Sequence, residues 1–263
     1  MTVIGNRVLV TLICGVIASG LAPEARAGNP NLVTDGTFQD YTGSAPGQLG
    51  YNSTLTYWSV PATTYNFLFL PGTADKTGAP DSFGNYMELY GTQNVPADNN
   101  GLPATDPGGP KDNFVALDST FEQGALSQTI AGLTKGDTYA VTFYWAGAQQ
   151  ATKPGATTDE LTVSLGSQSM NTATVSVPQG GFSGWMSSTM DFTATGASEV
   201  LAFLASGSPS GAAPPFALVG DVALSLTTPP PSVPDTTSTA MLFGLATSLL
   251  ALAAWRYRRE CRH

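Results

Sequence analysis

Thr138-Tyr139-Ala140-Val141-Thr142-Phe143-Tyr144-Trp145-Ala146 puts Tyr139, Val141, Phe143 and Trp145 on one parity and Thr142 and Tyr144 on the other. Successive side chains of a strand point to opposite faces, so this run reads as a strand with one apolar face. Leu161, Val163 and Leu165 repeat the pattern. Working outward, β-rich runs at 32–38, 54–60, 66–70, 86–90, 114–117, 125–130, 172–177, 185–193, 200–204 and 216–226 are punctuated by Gly, Pro, Asn, Asp and Thr. Nothing between residues 31 and 226 keeps a helical stripe. Many short strands with turns between them predict an all-β fold, an antiparallel β-sandwich, as one domain over 28–226. A body of that size buries a core without disulfides.

Charge narrows the chemistry. The chain has 263 residues and net charge −9. Residues 28–233 hold four Lys against sixteen Asp and Glu, net −12, with no Arg, His or Cys. The missing Cys exclude a disulfide framework or thiolate metal site in the body. The missing His excludes a Ser-His-Asp triad and an imidazole base. Four scattered Lys cannot replace phosphate counterions, which excludes nucleic acid as a partner. Carboxylate chemistry, hard-cation binding through oxygen, and recognition without catalysis remain.

The two ends read as addresses. Arg7, an apolar run over 8–21 and Ala25-Arg26-Ala27 predict a signal peptide over 1–27, cut before Gly28; an uncleaved anchor is the opposing reading. Residues 236–255 carry no charge. As a helix they reach about 30 Å, the thickness of a bilayer's hydrocarbon core. We therefore expect a C-terminal transmembrane helix over 236–257, with Trp255 and Tyr257 at the interface. Arg256, Arg258 and Arg259, with Arg262, would anchor a basic cytoplasmic tail over 258–263. A Pro-rich linker over 227–235 precedes the helix, stiff and extended.

Val233-Pro234-Asp235, the single apolar helix and the terminal Arg cluster resemble the PEP-CTERM sorting signal of Gram-negative bacteria. The usual motif is Val-Pro-Glu-Pro; here Asp235 stands for Glu and Thr236 for the second Pro. The resemblance implies export through the inner membrane, a membrane anchor, processing by an exosortase-type transpeptidase, and a place at the cell surface or in an exopolysaccharide matrix.

A second resemblance lies in the body. Asn31-Leu32-Val33-Thr34-Asp35-Gly36-Thr37-Phe38-Gln39 is similar to the opening strand of galactose-binding-like jelly rolls, a fold shared by carbohydrate-binding modules. Trp58, Leu126-Ser127-Gln128-Thr129-Ile130, Gly136-Asp137-Thr138-Tyr139 and Phe216-Ala217-Leu218-Val219-Gly220-Asp221-Val222 match its later strands. Such modules often hold a structural calcium between first and last strands. The matching positions are Thr37, Gln39 and Asp221, with Gln39 where an acid is more usual.

Two functional readings compete inside the body. A glycosidase needs two convergent carboxylates. Asp159-Glu160 are adjacent and so face opposite ways on a strand, whereas Asp118 and Glu122 flank one turn. Sugar binding needs exposed aromatics beside amides and acids. Trp58, Trp145 and Trp185 sit in strand patterns and read as core; Tyr41, Tyr51, Tyr65 and Phe83 read as loop aromatics. The segment 92–113, with Asp98, Asn99, Asn100, Asp106 and Asp112, offers oxygen ligands for a cation or a glycan. The expectation is a non-catalytic, glycan-associating surface protein whose glycan-binding residues the sequence does not single out. The alternatives are a carboxylate-based glycoside hydrolase and a purely structural surface protein.

Overall fold

A computed structural model describes residues 29–74, 77–90, 112–151, 153–209 and 214–227. The predicted signal peptide, sorting motif, membrane span and Arg tail lie outside the described residues, as do residues 92–111 of the long polar segment. Among the described residues no helix is long and apolar enough to cross a membrane. Their regular structure is all β. In chain order the strands are β1 (Tyr41–Gly43), β2 (Gly47–Gln48), β3 (Ser53–Leu55), β4 (Phe67–Phe69) and β5 (Ala79–Pro80). There follow β6 (Tyr86–Met87), β7 (Phe114–Asp118), β8 (Leu126–Ala131), β9 (Thr138–Gln149) and β10 (Thr157–Leu165). The last are β11 (Gln168–Asn171), β12 (Val175–Val177), β13 (Met186–Thr193), β14 (Ser198–Ser208) and β15 (Pro215–Leu226).

Two antiparallel sheets dominate. One runs β13-β9-β15-β7-β4-β2; the other runs β11-β10-β14-β8, with β12 also on β10. From β7 onward the chain changes sheet at most connections, the winding of a jelly roll. The inner faces meet in one core. Tyr139, Val141, Phe143 and Trp145 of β9 face Leu161, Val163 and Leu165 of β10 and Leu201 and Phe203 of β14, all buried. The alternation read in 138–146 and 161–165 is this interface. Trp58 belongs to it as well, 5.4 Å from Phe38 and 6.2 Å from Phe203 between ring centroids.

A second core covers the other face of the six-stranded sheet. Phe67, Phe69, Phe114, Ala116, Ala148, Phe216 and Leu218 are buried there under Ala74, Ala79, Met87 and Leu89. β7 is consequently buried at all five positions and β15 at its first six. Strands closed on both faces read as continuous apolar runs. Residues 70–74 and 77–90, with the β5–β6 hairpin, thus lie as a lid over part of this sheet face.

The opening run 32–38 is not a ladder strand. The Asn31 side chain substitutes for one: its Oδ1 accepts from Val33 N and Leu224 N. The run lies along β15 where the register shifts between Gly220 and Ala223 and Asp221 takes a φ of 50°. Beside a bulge, regular pairing cannot continue. Gly36 is required there, because a Cβ on it would sit 1.9 Å from the Val222 carbonyl oxygen. Of the predicted strand 54–60 only β3 forms; Trp58 instead donates its Nε1 proton to the Asp35 carbonyl at 2.9 Å.

Candidate functional site

The lid and the ends of β7, β9 and β15 enclose a cleft of about 590 Å³ lined by Tyr65, Asp81, Phe83, Asn85, Tyr86, Phe121, Gln150, Lys153 and Pro214. Its volume falls in the range of small-ligand sites. Two turns build it, each closed by a buried aspartate. The Asp81 Oδ1 accepts from Phe83 N at 3.0 Å and Asn85 N at 2.7 Å, which tightens the turn between β5 and β6. Asp118 Oδ1 accepts from Thr120 N and Phe121 N, both at 2.8 Å, and its Oδ2 accepts from Glu122 N at 3.2 Å. Short acids favour such local side-chain to backbone bonds, so both turns are fixed by composition.

Each turn pushes a phenyl ring outward. Phe83 is 58% and Phe121 60% exposed, with Tyr86 at 66% beside them. The buried Tyr65 ring supports both, 5.8 Å from Phe83 and 5.9 Å from Phe121, and the two phenyl centroids are 6.3 Å apart. Tyr65 is locked by its own hydroxyl, which donates to Asp81 Oδ2 at 2.6 Å. Burial first, then the Asp81 hydrogen bond and the charges of Asp81, Asp118 and Glu122, hold the phenol proton well above its ordinary range. Tyr65 is therefore a neutral, rigid brace. Tyr65 also packs edge-on to Phe67 at 4.6 Å, tying the cleft to the second core.

Of the four aromatics read as loop residues, Tyr65 and Phe83 meet in this cleft. Tyr65 is buried rather than exposed, and Tyr41 is half-buried against the main core. Tyr51 is exposed elsewhere. Phe121 and Tyr86 were not singled out by sequence reasoning. The usable signal was the pairing of Asp-Ser-Phe at 81–83 with Asp-Ser-Thr-Phe at 118–121, an apolar ring carried two or three residues after a turn-closing acid.

The acid pairs resolve differently. Asp118 is buried, and burial raises its carboxyl while the Phe121, Thr120 and Glu122 amides pull it back. Asp159 points inward and Glu160 outward, as alternation requires. Glu160 takes hydrogen bonds from Asn171 and Thr174. Asp159 is fully buried, with Oδ1 accepting from Ser119 Oγ at 2.8 Å and Oδ2 without a partner. Burial, with a smaller push from the Asp118 charge and a smaller opposing pull from Ser119, moves it from 3.8 up to about 8. Its free oxygen lies against Gly147 near Val175 and Val177, inside the sandwich and away from solvent. Among the described residues lining the cleft, Asp81 is the sole carboxylate.

Thr37, Gln39 and Asp221 fall at one corner, where 36–39 passes the β15 bulge. The Gln39 side-chain amide donates to the Thr37 carbonyl at 3.2 Å. Asp112 joins them: burial and the nearby Asp221 charge raise its carboxyl, and Asn113 binds the Phe38 carbonyl at 2.9 Å. Among the described residues no group of three or more acids gathers there. Two mutually repelling carboxylates beside backbone carbonyls are nevertheless a donor set suited to a hard cation.

No protein-family model matches the chain, and no curated protein matches it. Solved structures similar to it include a carbohydrate-binding module of type CBM4, 13% identical over 74% of this chain and 99% of that one, TM-score 0.33. The CBM22-1 xylan-binding domain of Paenibacillus barcinonensis Xyn10C is 9% identical over 78% of this chain and 100% of that one, TM-score 0.33. The enzymatically active domain of bacteriophage CBA120 tailspike protein 4 is 14% identical over 74% of this chain, TM-score 0.32; the chain spans only 21% of that structure. At these scores the functional reading rests on the cleft itself.

Proposed function

We propose that this chain is an exported, non-catalytic surface protein that associates with glycans through the Phe83–Phe121 cleft. One observation carries the reading: two rigid, exposed rings, braced by Tyr65, stand over a cleft whose polar members include Asn85, Gln150, Lys153 and Tyr86 beside the turn-bound Asp81. Apolar ring faces match the C–H faces of pyranoses, and amides match their hydroxyls. Asp118 and Asp159, the acids that burial perturbs most among those near it, are spent on turn closure and on the interior, which supports binding over hydrolysis. The PEP-CTERM-like tail supports export, anchoring through 236–257 and an exosortase-type partner, with the body delivered to the cell surface or an exopolysaccharide. The test is retention of the purified full chain on a panel of insoluble polysaccharides, with mass spectrometry of its two ends after growth in the native host. Retention on at least one polymer, with an N-terminus at Gly28, is expected. Failure on every polymer removes the glycan role, and a full-length chain recovered from the cytosol with both ends intact removes the export route.

At the β15 corner we propose that Asp221 and Asp112, with the Thr37 carbonyl and Gln39, hold a structural calcium. The ion would relieve the repulsion between the two carboxylates and fasten the opening segment to the last strand. Calcium is expected to raise the melting temperature by a few degrees, on the order of 1 kcal/mol. Asp221→Asn is expected to remove that gain. An unchanged melting curve at millimolar calcium rejects the site.

A further inference from the structure

We propose that the cleft selects glycans bearing an acidic substituent, a uronate carboxylate or a sulfate ester, through Lys153; the inference rests on the glycan reading above. Residues 28–233 hold only four Lys, and one of them lines this cleft. Lys153 follows β9, in a turn where its backbone N–H donates to Gln150 O at 3.4 Å. The Lys153 ammonium forms no ion pair with any described residue.

Two of the acids near the cleft, Asp81 and Asp118, are already engaged. Both Asp81 oxygens are taken, one by the Tyr65 hydroxyl and one by the Phe83 and Asn85 amides. Asp118 is bound by three backbone N–H groups. Lys153 therefore remains as a point charge with three donors at the mouth of an aromatic cleft. The Asn85 side-chain amide, which bonds no other described residue, stands in the same lining. A sugar stacked on Phe83 and Phe121 would present its ring substituents to these two groups. An exocyclic carboxylate or sulfate gains a charge-assisted hydrogen bond there, whereas a hydroxymethyl group gains only a neutral one.

Charge at large cannot imitate this preference. The net −12 of residues 28–233 repels a polyanion at long range, so ordinary ion exchange would disfavour acidic polymers. At about 0.15 M salt that repulsion is screened beyond roughly 8 Å, and the local pairing survives.

The experiment compares the full chain, kept in a polyoxyethylene detergent at about 0.15 M salt, on matched polymers. One pair is polygalacturonate and its carboxyl-reduced form; the other is dextran sulfate and dextran. About fivefold tighter binding to at least one acidic member is expected, the size of a partly exposed ion pair. The pair that shows it distinguishes carboxylate from sulfate. Lys153→Gln is expected to abolish the preference, bringing the affinity for the acidic member down to that for its neutral counterpart. Binding of a neutral polymer with no acidic preference, or a preference that survives Lys153→Gln, overturns the inference and leaves the glycan reading standing. Binding to none of the four, together with failure on the wider panel, overturns both.

Discussion

At pH 8 the Asp159→Asn chain is more stable than its parent by on the order of 4 kcal/mol, and near pH 4 it is less stable by about 1–2 kcal/mol. The sign follows from proton uptake. The folded chain keeps the Asp159 proton up to about 8, whereas an unfolded aspartate releases it near 3.8. Between those values folding takes up a proton, so this group's contribution falls steadily as pH rises and levels off above the folded pKa. Each unit corresponds to about 1.4 kcal/mol. Asn keeps the Ser119 hydrogen bond through its own Oδ1 and carries no charge to desolvate. It leaves a buried amide where Oδ2 has no partner, which returns about 1–2 kcal/mol of the gain. Denaturant melts of both chains from pH 4 to pH 9 isolate the effect as a difference, free of the other carboxylates. A variant less stable than its parent at pH 8 would show that the carboxylate is ionised and partnered in the folded chain.

Truncating both platform rings, Phe83→Ala with Phe121→Ala, weakens glycan binding by about 100-fold, roughly tenfold for each ring. Both rings are more than half exposed, so their removal leaves the two cores untouched and the melting temperature within a few degrees of the parent. Removing the brace behaves differently. Tyr65 is buried and touches Phe67 and Phe216, so its truncation lowers stability and affinity together. Affinity electrophoresis in the retained polysaccharide, run beside thermal melts, separates the two behaviours. A doubly truncated chain that binds as the parent does would remove these rings from the binding face.

The calcium corner shows how far local motifs carry. Asn31-Leu32-Val33 and Gly220-Asp221-Val222 mark two segments that the fold brings together, but the sequence does not show how they join. Their contact needs a bulge at Asp221 and a bare Cα at Gly36, and both arise only when the segments meet. Asp112, which stands there beside Asp221, lies 109 positions away in the chain and was legible only as part of a polar segment.

By itself the sequence determined the all-β class, the inward parity of β9 and β10, the core role of Trp58 and Trp145, and the opposite facing of Asp159 and Glu160. Those properties follow from a period of two and from the poverty of charge, which act over a few neighbouring residues. It also determined the exclusions, since a body without His, Cys or Arg lacks those chemistries in any fold. Tertiary structure alone decided that the six-stranded sheet is covered on both faces, and that Phe83 and Phe121 meet over Tyr65. It likewise decided that Asp118 closes a turn instead of converging with Glu122. Alternation reports which side of a strand is apolar, but it is silent on what covers that side. Chain segments far apart in sequence meet through burial that no local pattern encodes.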